Sequence, residues 1–228
     1  MREKRTVVVV PGASSPYLEK YLPVYDLLRE HGATVLDFVG CGHYSIRKKF
    51  TDCGDGFSIP AAAQKILPEL RSVARGATLF CRSSGCDVVA QLMVEHPSAL
   101  DVFDRVVFWG AASGLHMWKA LTDQPGEIEI FNDAWESRGV LLRPDFWAHY
   151  TPIEAQCIRF ACEKQVVLAC GSRDENTTVK EQSYLAMLVN RHTRCKASVV
   201  EIPDAYHAVT MENITPRGLR AYQKLLCG

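Results

Sequence analysis

An excess of charge of either sign is missing from this chain. Across 228 residues, 26 lysines and arginines balance 26 aspartates and glutamates, for a formal net charge of +0. That removes the electrostatic footprint of a protein that binds nucleic acid or lies on an anionic membrane. The basic start Arg2-Lys4-Arg5 is interrupted by Glu3 and reads as solvated. Long apolar runs are missing too. Val7 to Val10 is stopped by Pro11-Gly12, too short for a secretory h-region, and no segment reaches transmembrane length. The expectation is a cytoplasmic protein with no membrane span. The spacing of Cys157 and Cys162 lacks the second close pair of a zinc site, so no metal is expected. Gly110-Ala111-Ala112-Ser113-Gly114 lacks both the lysine of a P-loop and the spacing of a dinucleotide fingerprint, so no organic cofactor is implied. The nine cysteines are odd in number and scattered. They read as reduced and mostly buried small hydrophobes.

What is present is ordinary for a globular domain: 47% hydrophobic and 23% charged residues. Residues 1–228 read as one domain. Thr6 to Val10 is a β-branched run that suits a buried parallel strand. Pro16 to His31 carries Leu18, Tyr21, Leu22, Tyr25 and Leu28 at helical spacing and stops at Gly32. Thr34 to Val39 is the next strand, followed by a glycine-rich loop. A helix is expected from Pro60 to about Val73, with Pro68 bending or splitting it. A strand over Ala77 to Cys81, a helix to about His96 and a strand over Arg105 to Trp109 follow. After an irregular stretch the alternation resumes: strand Gln165 to Cys170, helix Val179 to Arg191, strand Ala197 to Ile202, helix Ile214 to Leu226. Such alternation implies an α/β three-layer sandwich with a mostly parallel central sheet. The interruption, about 113–163, holds three of the four tryptophans, Trp118, Trp135 and Trp147, and reads as an insertion.

The chain is organised around Leu79-Phe80-Cys81-Arg82-Ser83-Ser84-Gly85-Cys86. Strand, tight turn and helix with a serine at the turn is the layout of a nucleophile elbow. The turn strains the serine backbone and presents its hydroxyl beyond the sheet, so neighbours where strand and helix converge must be small. Gly85 fits; Cys81 replaces the usual glycine, and Cys86 stands where a second glycine is common. Alone, Ser-Ser-Gly also marks ordinary turns.

Its partners sit in the other loops that follow strands, where chemistry collects in open α/β sheets. Those loops carry Pro11-Gly12-Ala13, Gly171-Ser172-Arg173-Asp174-Glu175 and Pro203-Asp204-Ala205-Tyr206-His207. A serine hydroxyl is a poor nucleophile until a base takes its proton. His207 is the candidate base, and afterwards the acid for the leaving group. Asp174 would hold the imidazole tautomer and stabilise the imidazolium. Backbone N–H groups of Ala13 and Ser84 would make an oxyanion hole.

With these loops in place the chain resembles the α/β-hydrolase superfamily over nearly its whole length. Ser83, Asp174 and His207 follow that family's order of nucleophile, acid and base. Pro11-Gly12-Ala13 is similar to its His-Gly oxyanion loop. Asp37-Phe38-Val39-Gly40-Cys41-Gly42-His43-Tyr44-Ser45 resembles its Asp-x-x-Gly-x-Gly-x-Ser loop with one extra residue. The resemblance implies an α/β-hydrolase fold lacking the first two strands, with a small helical lid inserted after the sixth strand. It also implies hydrolysis of an ester or thioester, as in carboxylesterases and thioesterases. An acyltransferase or cyclase on the same fold, or a non-catalytic ligand-binding member with a degenerate elbow, stays open.

Each assignment has a plainer counterpart. Asp174 alone would suit a helix N-terminus beside Glu175, which is the reserve acid. His207 is the one histidine of seven that follows the last strand. His43 reads as a residue of the pocket rim. The lid aromatics Trp118, Trp135 and Trp147 could simply pack the lid on the body, but above a catalytic edge they suggest an apolar pocket. The expected partner is therefore a small, apolar acyl substrate.

Overall fold

The computed structural model describes residues 6–12, 26, 28–29, 32–36, 57–114, 146–207, 209 and 213–227, with the backbone alone of Phe146, Trp147 and Cys227. Six strands form one all-parallel sheet: β1 (Val7–Val10), β2 (Ala33–Val35), β3 (Ala77–Arg82), β4 (Phe103–Trp109), β5 (Gln165–Gly171) and β6 (Lys196–Ile202). Their order is β2-β1-β3-β4-β5-β6. Each neighbouring pair is parallel, from Val9 beside Phe80 through Phe108 beside Leu168 to Leu168 beside Val199. Among the described residues the α-helices with defined bounds are α1 (Ile59–Arg71), α2 (Ser84–Glu95), α3 (Phe146–His149), α4 (Ile153–Cys157), α5 (Val179–His192) and α6 (Pro216–Cys227).

The strands are apolar on both faces because both faces are covered. Val8, Leu79, Cys81, Val106, Phe108 and Leu168 point into one core with Ile66, Val89, Ile153 and Leu185 from α1, α2, α4 and α5. The alternate residues Val9, Phe80, Val107 and Trp109 point into a second core with Tyr222 and Leu226 of α6. This two-residue period along each strand makes the three layers. Tyr222 stands edge-on to Phe80 at 5.5 Å and to Trp109 at 5.1 Å between ring centres. Buried Arg105 donates to the carbonyls of Leu225 and Leu226 at 2.8 and 3.4 Å, holding the end of α6 on the sheet with a cation at its negative pole.

Local signals start the helices. Ser58 caps α1 through Ala61 N–H, and Thr178 with Glu181 closes a reciprocal capping box on α5. Pro68 does not split α1: the helix continues through it to Arg71. Pro68 and Gln64, whose carbonyl loses its helical donor, both lie on the exposed face, where solvent satisfies that carbonyl. The stretch expected to be an insertion follows β4. Within it α3 and α4 are described, and Ile153, Cys157 and Phe160 join the body's core. No helix among the described residues is long and apolar enough to cross a membrane.

Candidate active site

Ser83 occupies the bend between β3 and α2 with φ 47° and ψ −126°. A non-glycine residue rarely adopts this region, and it persists only where the surroundings over-determine it. Here they do. Ser83 N–H donates to Trp109 O at 2.9 Å, and Ser83 O accepts from Cys86 N–H at 2.8 Å. Helix α2 starts so close to β1 that a Cβ on Gly85 would collide with the carbonyl oxygens of Pro11 and Val10. Cys86 fits beneath the bend, its Sγ donating to Cys81 O at 3.4 Å and Trp109 O at 3.6 Å. Burial pushes both the Cys81 and Cys86 thiols well up, so they pack as neutral groups rather than thiolates. The departure from glycine at these positions therefore leaves the elbow bend in place.

Asp174 lies just past the end of β5, its side chain 0% exposed. Its Oδ1 accepts from the N–H groups of Asn176 and Thr177 at 2.9 and 2.8 Å. Its Oδ2 accepts from Thr177 Oγ1 at 2.8 Å and faces His207 Nδ1 at 3.1 Å. Burial raises the carboxyl's pKa, but the His207 bond and charge, with the two amides, outweigh it and hold the group below the ordinary carboxylate value. A charged Asp174 fixes the proton on Nδ1 and leaves Nε2 as the basic nitrogen. Glu175, the reserve acid, is exposed.

His207 is delivered by the loop after β6, which is laced to the Asp174 loop. Ser172 N–H donates to Ile202 O, Arg173 N–H to Ala205 O, and Asp204 N–H to Ser172 Oγ. A Cβ on Gly171 would run into Ala205 O, so only glycine lets the two loops close. The His207 carbonyl accepts from Trp109 Nε1 at 3.1 Å and Arg82 at 3.3 Å. Strand β3 thus carries Ser83 and also holds the histidine loop through the residue before it. The imidazole rests on Gly110, where an added Cβ would lie 2.6 Å from Cε1 and 2.7 Å from Nδ1. Ser83, bonded to Trp109 O, and His207, seated on Gly110, therefore flank the same two residues at the end of β4.

Arg82, Trp109, Gly110 and Thr177 were not read from the sequence as site residues. Thr177 had a local signal, an aspartate followed three residues later by a hydroxyl donor; the others act only across the sheet. Ser84 opens α2, so its N–H is one of the donors a helix leaves unpaired at its start. The other expected oxyanion donor, Ala13, lies outside the described residues, as do His43, Trp118 and Trp135; Trp147 lies in α3. Gly12, next to Ala13, sits against Ser83, with a built Cβ 3.1 Å from Ser83 Cβ.

The parallel sheet, the elbow at its centre and the acid and histidine loops at the same edge define the α/β-hydrolase fold. Solved structures agree. The chain is similar to Est1E from Butyrivibrio proteoclasticus at 16% identity, covering 98% of this chain and 86% of that one, with a TM-score of 0.60. A monoacylglycerol lipase from Paleococcus ferrophilus is 18% identical over 97% of this chain and 92% of its own, with a TM-score of 0.59. Alpha/beta hydrolase domain-containing protein 10 from mouse is 16% identical over 96% and 87%, also at 0.59. No protein-family model and no curated protein sequence matches the chain.

Proposed function

We propose that the protein is a serine hydrolase that cleaves an ester or thioester through an acyl-Ser83 intermediate. The observation that carries this reading is a serine held at φ 47° on an elbow at the sheet edge that also carries a histidine whose Nδ1 faces a buried, multiply bonded Asp174 at 3.1 Å. His207 Nε2 takes the hydroxyl proton as Ser83 Oγ attacks the acyl carbon, then returns it to the departing alcohol or thiol. The negative charge on the acyl oxygen is met by the N–H groups of Ser84 and Ala13. Water, activated by the same histidine, releases the acid and restores Ser83. The likeness to a monoacylglycerol lipase supports an acyl ester as the substrate class. The 113–163 insertion, with Trp118, Trp135 and Trp147, and the rim residue His43 are assigned to an apolar acyl pocket. The protein is assigned to the cytoplasm.

The test is labelling by a fluorophosphonate read by intact mass, with Ser83→Ala as control. One adduct that disappears in the variant is expected. A folded wild type that takes no adduct would overturn the serine mechanism and favour a ligand-binding role for the fold.

A further inference from the structure

The two edges of the sheet carry different chemistry. Ser83, Asp174 and His207 stand at the carboxyl edge. At the amino edge β5 and β6 start side by side, Gln165 paired with Lys196. The residues leading into them hold two free thiols, Cys162 and Cys195. Their sulfur atoms are 3.8 Å apart. Among the described residues no other pair of cysteines has its sulfur atoms in contact.

Position here is fixed by backbone rather than by side-chain chance. Lys196 N–H donates to Lys164 O at 2.9 Å, stitching the two approaches together. Cys195 N–H donates to Thr193 Oγ1 at 3.1 Å, and Cys195 Sγ donates to Cys162 O at 3.1 Å. The two residues are 33 apart in sequence, and the segment between them contains β5, the Asp174 loop and α5. Both are largely buried, at 8% and 3% exposure, so only a small oxidant can reach them.

We propose that Cys162 and Cys195 are an oxidisable dithiol that takes a small hydroperoxide and closes into a reversible disulfide. Cys195 attacks once its proton has left the Cys162 carbonyl. A hydrogen bond from the Cys162 thiol then chiefly lowers the Cys195 pKa, with burial opposing and Lys164 assisting. The sulfur takes the terminal oxygen, the O–O bond breaks and the alkoxide leaves with a proton as alcohol. Cys195 is then a sulfenic acid. The Cys162 sulfur displaces its oxygen as water, forming the S–S bond. Two thiols have lost two electrons and the peroxide has gained them. The sulfurs need to close from 3.8 Å to about 2.05 Å, a short movement for two side chains already in contact. The disulfide ties the start of β5 to that of β6 and encloses the strand that leads to Asp174. This device is independent of the hydrolase reading.

The reduced full-length protein would be titrated with hydrogen peroxide, quenched with N-ethylmaleimide and mapped by peptide mass without reduction. The expected product joins the Cys162 peptide to the Cys195 peptide, is reversed by dithiothreitol, and raises the melting temperature by roughly 5–10 °C. Cys162→Ser should stop at a Cys195 sulfenic acid trapped by dimedone; Cys195→Ser should leave Cys162 as the thiol. Separate alkylation of both residues after peroxide treatment of folded wild type would overturn the proposal. So would a linkage that joins either to another cysteine. The wild-type map decides this even if a variant fails to fold.

Discussion

Among the described residues, Asp174 and Asp87 both have buried carboxyls, and their surroundings move their pKa values in opposite directions. Asp174 collects donors from Asn176, Thr177 and His207, and its pKa falls. Asp87, on α2 one turn beyond Ser83, is 0% exposed. It accepts a bond from Tyr150 at 3.3 Å, and its Oδ2 has no donor. Burial pushes its pKa well up, the Tyr150 bond opposes that weakly, and Glu154 pushes it further. Burial acts the same way on both carboxyls; the number of donors aimed at each sets the sign. Glu154 also accepts from Gly114 N–H, so this second acid cluster ties the segment after β4 to α4. One environment favours the charged carboxylate, the other disfavours it.

Neutralising each acid should break the comparison most visibly. Asp174→Asn is expected to slow fluorophosphonate labelling of Ser83 by roughly 10³–10⁴-fold, because the wrong imidazole tautomer is then favoured. Asp87→Asn should leave the rate within about threefold. Equal losses in both variants would show that the two acids share one role. Gly171→Ala comes next: its Cβ has nowhere to go against Ala205 O, so a loss of about 2–4 kcal/mol is expected in urea unfolding.

The pH dependence of stability sharpens the comparison. Asp174 has a depressed pKa in the folded state, so its stabilisation is present above the unfolded value, about 3.9, and is lost as pH falls through the folded value. Asp87 has a raised folded pKa. Its contribution is complete below about 3.9 and is lost as pH rises through the folded value, because the native state then holds the extra proton. The stability of Asp87→Asn relative to wild type should therefore improve as pH rises, and that of Asp174→Asn should worsen. Urea titrations at stepped pH measure both slopes. The smallest effect is expected from Tyr150→Phe, which removes the bond to Asp87 and should cost about 1 kcal/mol in the same assay.

Much of this was legible along the chain. Val7 to Val10, Leu79 to Cys81 and Val166 to Cys170 are apolar without interruption, as a strand covered on both faces requires. The described strands begin and end within about two residues of the positions those runs imply, save β2, described only through Val35. The split considered at Pro68 does not occur, since local propensity does not say which face of α1 meets water. The order serine, aspartate, histidine in loops after strands was readable because a parallel sheet sends every such loop to one edge. Ala13, His43, Trp118 and Trp135 lie beyond the described residues, so their places rest on the sequence alone.

What the sequence determined by itself is therefore periodic and local: the parallel alternation, the elbow's small residues, the caps at Ser58 and Thr178. The tertiary structure decided what depends on groups meeting across elements. Gly110 forms the floor beneath His207, Arg82 and Trp109 grip the histidine's carbonyl, and Cys162 meets Cys195. Asp87 faces Tyr150 and Glu154. Each pairing sets an electrostatic or steric energy that falls off within a few ångströms, so no spacing along the chain encodes it; only the closed sheet brings the partners within range.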